Sequence, residues 1–135
     1  MYKRQFYNWT LEAGIQLQHI CYSPEDVALL AKLLDVTELE RQGIWCLFVI
    51  GHYTGRISYP GLLPPFLAGL KQAGIDSDWA ICAFATEEAA CLRAAIAAGG
   101  KVRVGFENSI YMADGSIASD NAARVREAAS FMAGV

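Results

Sequence analysis

The chain has 135 residues, with 11 Lys and Arg against 14 Asp and Glu for a formal net charge of -3, and 54% of it is hydrophobic. That apolar content, with only 12 Gly and 4 Pro, excludes a disordered or collagen-like chain and predicts one domain, or part of one, around a large core. The acidic balance without any cluster of Lys or Arg argues against nucleic acid or an anionic membrane as partner, because both need a basic field.

The four cysteines, Cys21, Cys46, Cys82 and Cys91, form no C-x-x-C pair and stand in apolar stretches. Buried thiols are expected rather than a disulfide or zinc framework. No apolar run approaches the ~18 residues that a membrane span needs, and no leader with a cleavage site is recognisable, so a cytoplasmic protein is expected.

Residues 1–13 mix charge and aromatics without a period and read as an irregular or non-native start. A strand is predicted over 15–21, followed by a helix that Ser23 caps, Pro24 opens and Glu25 and Asp26 favour at its positive end; Val27, Leu30 and Leu34 form its apolar stripe. The run WCLFVI over 45–50 is apolar on both faces, as in a parallel strand covered by helices. After a loop, Leu62, Leu63, Phe66, Leu67 and Leu70 mark a helix that Gly74 ends. WAICAF over 79–84 repeats the strand, and Thr86 with Glu87 and Glu88 starts an Ala-rich helix that stops at Gly99 and Gly100. A fourth strand is predicted over 101–106 and a long loop over 107–118. Ser119, Asp120 and Asn121 then open a last helix with Ala122, Val125, Ala129 and Met132 facing inward.

Four strand-helix cycles imply an α/β fold with a parallel sheet and right-handed crossovers. Two architectures fit: a doubly wound domain, or half of an eight-stranded (β/α) barrel of the TIM type. On the last strand, alternation places Arg103, Gly105 and Glu107 on one face and Val102, Val104 and Phe106 on the helix-packed one. Arg103 and Glu107 are then about 13 Å apart along the strand. The competing reading is an Arg-Glu pair with no further role, but Glu107 and Asn108 fall at the carboxyl end of a parallel strand, where such folds bind ligands. His19 in the first strand and His52 after the second are further candidates, set against the reading of hydrogen-bonded structural histidines. Gln18 and His52 are candidate substrate contacts. Arg56 in the loop is a further candidate substrate contact, able to meet a phosphate, or a plain surface arginine.

The stretch GGKVRVGFENSIYMADGSIASDNAARV over 99–125 resembles the closing strand, loop and helix of the beta-keto acid cleavage enzymes, which include the 3-keto-5-aminohexanoate cleavage enzyme. The family reads close to GGHVRVGLEDNLYL there. Weaker resemblance runs back to Gly14 through the WAICAF strand and the Pro-rich helix start near Pro60 to Pro65. It implies that 14–135 is the carboxyl-terminal half of a (β/α)8 barrel, equivalent to strands 5 to 8, from a zinc-dependent enzyme that is a homo-oligomer when full length. The implied reaction converts a beta-keto acid and acetyl-CoA to acetoacetate and a new acyl-CoA. The resemblance also implies that Glu107 is one zinc ligand beside two His of a missing amino-terminal half, and that Arg103 belongs to the catalytic network. This chain has no His-x-His. It departs from the family where Asn108 stands for Asp, where Lys101 stands for His, and where Gln18, His19 and Ile20 occupy a strand that commonly carries carboxylates. An amide cannot take a proton near neutral pH, so a divergent branch is implied, with Arg103, Asn108 and His19 as candidate catalytic residues. The alternatives are a non-catalytic binding or assembly module on the same scaffold, and a complete flavodoxin-like domain, which is disfavoured because no phosphate-binding loop follows the first strand of this chain.

Overall fold

A computed structural model describes residues 2–52, 55 and 57–133. Its elements are α1 (Tyr2–Glu12), β1 (Gln18–Cys21), α2 (Pro24–Thr37), β2 (Ile44–Ile50), α3 (Leu63–Ala73), β3 (Ser77–Ala83), α4 (Glu88–Ala97), β4 (Lys101–Val102) and α5 (Asn121–Met132). The strands form one parallel sheet in the order β1-β2-β3-β4. Consecutive order is how a barrel lays down its units, and a doubly wound sheet would reverse it. The architecture is α/β, consistent with half of a TIM barrel.

The sheet divides the core in two. Cys21, Cys46, Phe48, Ile50, Ile81 and Ala83 point to the helices and meet Val27, Leu30, Leu34, Phe66, Leu70 and Leu92. Leu47, Val49, Ala80, Cys82 and Phe84 form a separate cluster on the opposite face, the one a barrel turns inward. α3 packs against α2 at Gly69, where even a Cβ would make only an ordinary contact with Val27, at 3.5 Å. The Asp26 carboxylate accepts the backbone N–H of Tyr22 at 2.8 Å and of Ser23 at 3.1 Å, which fixes the turn from β1 into α2. Gly74 is left-handed at the end of α3, and Asp120 accepts the N–H of Ala123 at 2.7 Å at the start of α5. Both are as the sequence reads.

Several expectations are corrected. Residues 2–12 are helical rather than irregular: the segment holds no Pro or Gly, Thr10 is buried, and Gly14 stops the helix in a left-handed conformation. Tertiary contacts of Tyr7 and Thr10 hold this helix, so no apolar period announces it. The first strand starts at Gln18 rather than at 15, because its partner's pairing begins with Gln18 opposite Trp45. A 3-10 turn at Ala85–Glu87 precedes α4, so Thr86 does not cap it.

The fourth strand is only Lys101–Val102, extended by the bond from Arg103 N–H to the Ile81 carbonyl at 2.8 Å. Val102 and Val104 still pack toward the helices. At Gly105 the chain turns, with a positive φ of 157 degrees, and strand alternation ends there. Phe106 is accordingly 41% exposed rather than packed on helices, its N–H held by Asn121 Oδ1 at 2.8 Å. On α5 the buried residues are Arg124 and Ala128, whereas Ala122, Val125, Ala129 and Met132, expected to face inward, are all exposed. A buried ion pair between Arg124 and Glu88 of α4 turns that face inward, a preference that hydrophobic spacing cannot report.

Candidate active site

The carboxyl ends of β3 and β4 meet in a small polar cluster. Arg103 leaves β4 away from the helices, beside Cys82 of β3, which is in register with it by extension of the pairs Ala80–Lys101 and Ile81–Val102. The turn that begins at Gly105 closes with the N–H groups of Asn108 and Ser109 bonded to the Gly105 carbonyl at 2.9 and 3.1 Å. It brings Glu107 back to Arg103, Oε2 lying 3.4 Å from Nη2. The expected 13 Å spacing is thereby replaced by an ion pair, because the residues are joined through a turn and not along a strand. Arg103 Nη2 also donates to Asn108 Oδ1 at 3.3 Å. The Arg103 and Glu107 side chains remain 40% and 70% exposed, whereas Asn108 is 7% exposed.

Asn108 is fixed from behind. Its carbonyl accepts the N–H of Ala85 at 3.3 Å, and Ser109 Oγ donates to the Ala85 carbonyl at 3.0 Å. Ala85 itself has a φ of 57 degrees, a left-handed conformation that L-residues with a Cβ adopt at a cost of order 1–3 kcal/mol and that concentrates at functional loops. With Oδ1 engaged by Arg103, the buried Nδ2 of Asn108 has no oxygen acceptor among the described residues; the Cys82 thiol is its neighbour. An amide donor in that state is available to a carbonyl or carboxylate oxygen. Burial pushes the Cys82 thiol up, with Arg103 and Asn108 opposing and Glu107 reinforcing. Cys82 is therefore an uncharged wall of the cluster and not a nucleophile.

Ser58 was not singled out by the sequence, and it ties the strand ends together. It is buried, donates from Oγ to the Ile50 carbonyl at 2.7 Å and accepts the Phe84 N–H at 2.9 Å. Neither Ser58 nor Cys82 carries a local signal, since their roles exist only once β2 and β3 are paired. The exposed His52 follows the end of β2, on the same rim as the cluster. Arg56 lies outside the described residues.

The other sequence candidates are not brought to this rim. Gln18 and His19 are the first residues of β1, at the opposite end of the sheet from Asn108. Gln18 shares the inward face with Trp45, but His19, in register with Cys46, points to the helix layer. There its Nε2 lies 2.8 Å from Tyr7 Oη, its Nδ1 is 3.2 Å from the Trp45 carbonyl, and its ring stacks on Tyr7. Burial lowers its pKa, the bond to Trp45 opposing, so His19 is a neutral, hydrogen-bonded link between α1 and the sheet. It also lines a cavity of about 460 Å³ beneath α1, which is separate from the Arg103 cluster.

Among the described residues no three His, Cys, Asp or Glu side chains converge on one point. A zinc site needs at least three protein ligands, so Glu107 is at most one member of a set completed from elsewhere.

The class these features define is a parallel α/β protein, consistent with half of a barrel, with Arg103, Glu107 and a buried amide gathered at the carboxyl ends of its strands. The sequence model of the beta-keto acid cleavage enzymes matches residues 2–135, and the chain belongs to that family. None of the curated proteins compared with it gives a significant match.

Proposed function

We propose that the chain is the carboxyl-terminal half of a (β/α)8 enzyme that cleaves a beta-keto acid with acetyl-CoA, forming acetoacetate and a new acyl-CoA. The observation that supports this is the buried Asn108 amide beside Arg103 at the carboxyl ends of the strands, the end at which (β/α)8 barrels bind substrate, in a chain of this family. Arg103 offers a cation to the acid's carboxylate, and Asn108 Nδ2 a hydrogen bond to its keto oxygen. Asn108 cannot take a proton, so it orients the acid and the proton leaves to another group. Glu107, set by Arg103, is the zinc ligand this chain contributes; two imidazoles from an amino-terminal half would complete the set. The residues present do not by themselves form that site.

The test is metal content and keto-acid cleavage in protein containing both halves. Stoichiometric zinc and acetyl-CoA-dependent acetoacetate formation are expected, and Glu107→Gln should lose the metal. Zinc retained by Glu107→Gln would refute the ligand assignment. The amide at Asn108 also favours a second reading, a non-catalytic module that binds keto acids. Acid binding without turnover, unrestored by Asn108→Asp, would select it.

A further inference from the structure

At the opposite end of the sheet from Arg103, the cavity beneath α1 measures about 460 Å³, room for a small organic molecule. It lies between α1, the segment 15–19 and the loop 38–44 that leads from α2 to β2. Much of its wall is apolar: Leu11, Ile15, Leu17, Leu39 and Ile44 line it, and Leu11 and Ile15 remain 65% and 46% exposed. Apolar surface left open in this way is what the body of a ligand covers.

The hydroxyl donors on the lining are already used. His19 Nδ1 lies 3.2 Å from the Trp45 carbonyl, which can only accept, so Nδ1 carries the ring proton and Nε2 accepts from Tyr7 Oη at 2.8 Å. Tyr7 Oη therefore has only lone pairs left, and Thr10 Oγ1 donates to the Tyr7 carbonyl at 2.7 Å. The charged groups on the lining are Glu38 and Glu40, both negative, and no Lys or Arg stands among its described residues. Glu38 is paired with Arg4, and Arg41 is engaged by Asp35 and the Ala73 carbonyl. Glu40 has no ion pair among the described residues.

We propose that this cavity is a second binding site, distinct from the rim, and that it takes a small primary amine with an apolar body: the body against Leu11, Ile15 and Ile44, the ammonium at Glu40. The ammonium supplies the donors and the positive charge that the lining lacks. Its attraction to a carboxylate is stronger in a partly desolvated cavity than in bulk water. A carboxylate on the same body would face Glu40 with no cation to offset it. The cavity thus selects the sign of charge opposite to the one Arg103 selects at the rim.

Amide NMR titrations of this protein at pH 7.5 with three molecules of one shape, 2-phenylethylamine, 2-phenylethanol and phenylacetate, test the proposal. The amine, protonated at that pH, should give saturable shifts at 10–19 and 38–44 and bind at least about tenfold more tightly than phenylacetate, with the alcohol between them. Glu40 is exposed, so its replacement should leave the fold intact. Glu40→Gln should bring the amine to the alcohol's affinity, and Glu40→Lys should make phenylacetate the tighter ligand. Arg103→Ala should leave all of these affinities unchanged, which separates the cavity from the rim. No saturable shift in those segments at millimolar amine, phenylacetate bound there as tightly as the amine, or an order unchanged in Glu40→Lys would overturn the proposal.

Discussion

Arg124→Met isolates what holds the last helix to the sheet. Arg124 of α5 and Glu88 at the start of α4 are 2% and 1% exposed, in contact through Nη2 and Oε2, with Glu127 Oε2 3.3 Å from Arg124 Nη1. Methionine refills much of the arginine's volume, so the packing loss is small and the electrostatic one dominates. Glu88 is left buried without its cation, and breaking such a pair costs about 3–5 kcal/mol. Replacing both partners, as Arg124→Met with Glu88→Leu, removes the stranded charge together with its desolvation penalty. The double variant should therefore lie within about 1 kcal/mol of the parent, since apolar replacement of a buried pair is often neutral or better. The assay is urea unfolding followed by tryptophan fluorescence at pH 7, compared at unchanged m value. If the single variant loses less than about 1 kcal/mol, or the double variant is no better than the single, the pair is not what turns this face of α5 inward.

Gly100→Ala should destabilise by about 1–3 kcal/mol through overpacking: the added Cβ would overlap the Trp79 ring, itself stacked against Phe48, and thermal unfolding reads the loss. Phe106→Ala should cost less than about 1 kcal/mol, because the ring is partly exposed beyond the end of β4; a loss above that would show that Phe106 is packed after all. Burial keeps His19 below its ordinary pKa, so the unfolded chain binds the proton first as pH falls. Its stabilising contribution is complete above about pH 6.5 and is lost as pH falls below that value. Urea midpoints at pH 7.5 and 5.5 should show that loss, and His19→Asn should flatten it. The four thiols are buried and unpaired, so a thiol reagent should label them only on unfolding; prompt labelling of native protein would contradict their burial.

The sheet order was legible because each strand is a short apolar run covered on both sides and each helix carries its own stop, at Gly74 and Gly99 for instance. The family motif was legible because Arg103, Gly105 and Glu107 stand at fixed spacing. The geometry between them was not. Alternation describes an extended chain, and nothing local tells that the last strand ends at Val102 and hands over to a turn at Gly105. The same limit explains α5, where a long-range ion pair overrides the apolar stripe. It also explains α1, whose residues gain their order from Tyr7 against His19. His19 looked like a candidate by residue type alone. Which face it takes follows from being in register with Cys46, and that requires the partner strand. Ser58 and Cys82 escaped for the converse reason, being ordinary residues that pairing carries to the rim.

The claim on which the functional account turns is that the rim formed by Arg103, Glu107 and Asn108 recognises a keto acid. The most direct measurement is an amide NMR titration of the protein with acetoacetate, the simplest acid of the class. The account predicts shifts concentrated at 82–86 and 103–109, saturable, and abolished by Arg103→Ala with the rest of the spectrum unchanged. Shifts confined to the cavity beneath α1 around Tyr7 and His19, or none at the rim at millimolar acid, would contradict it.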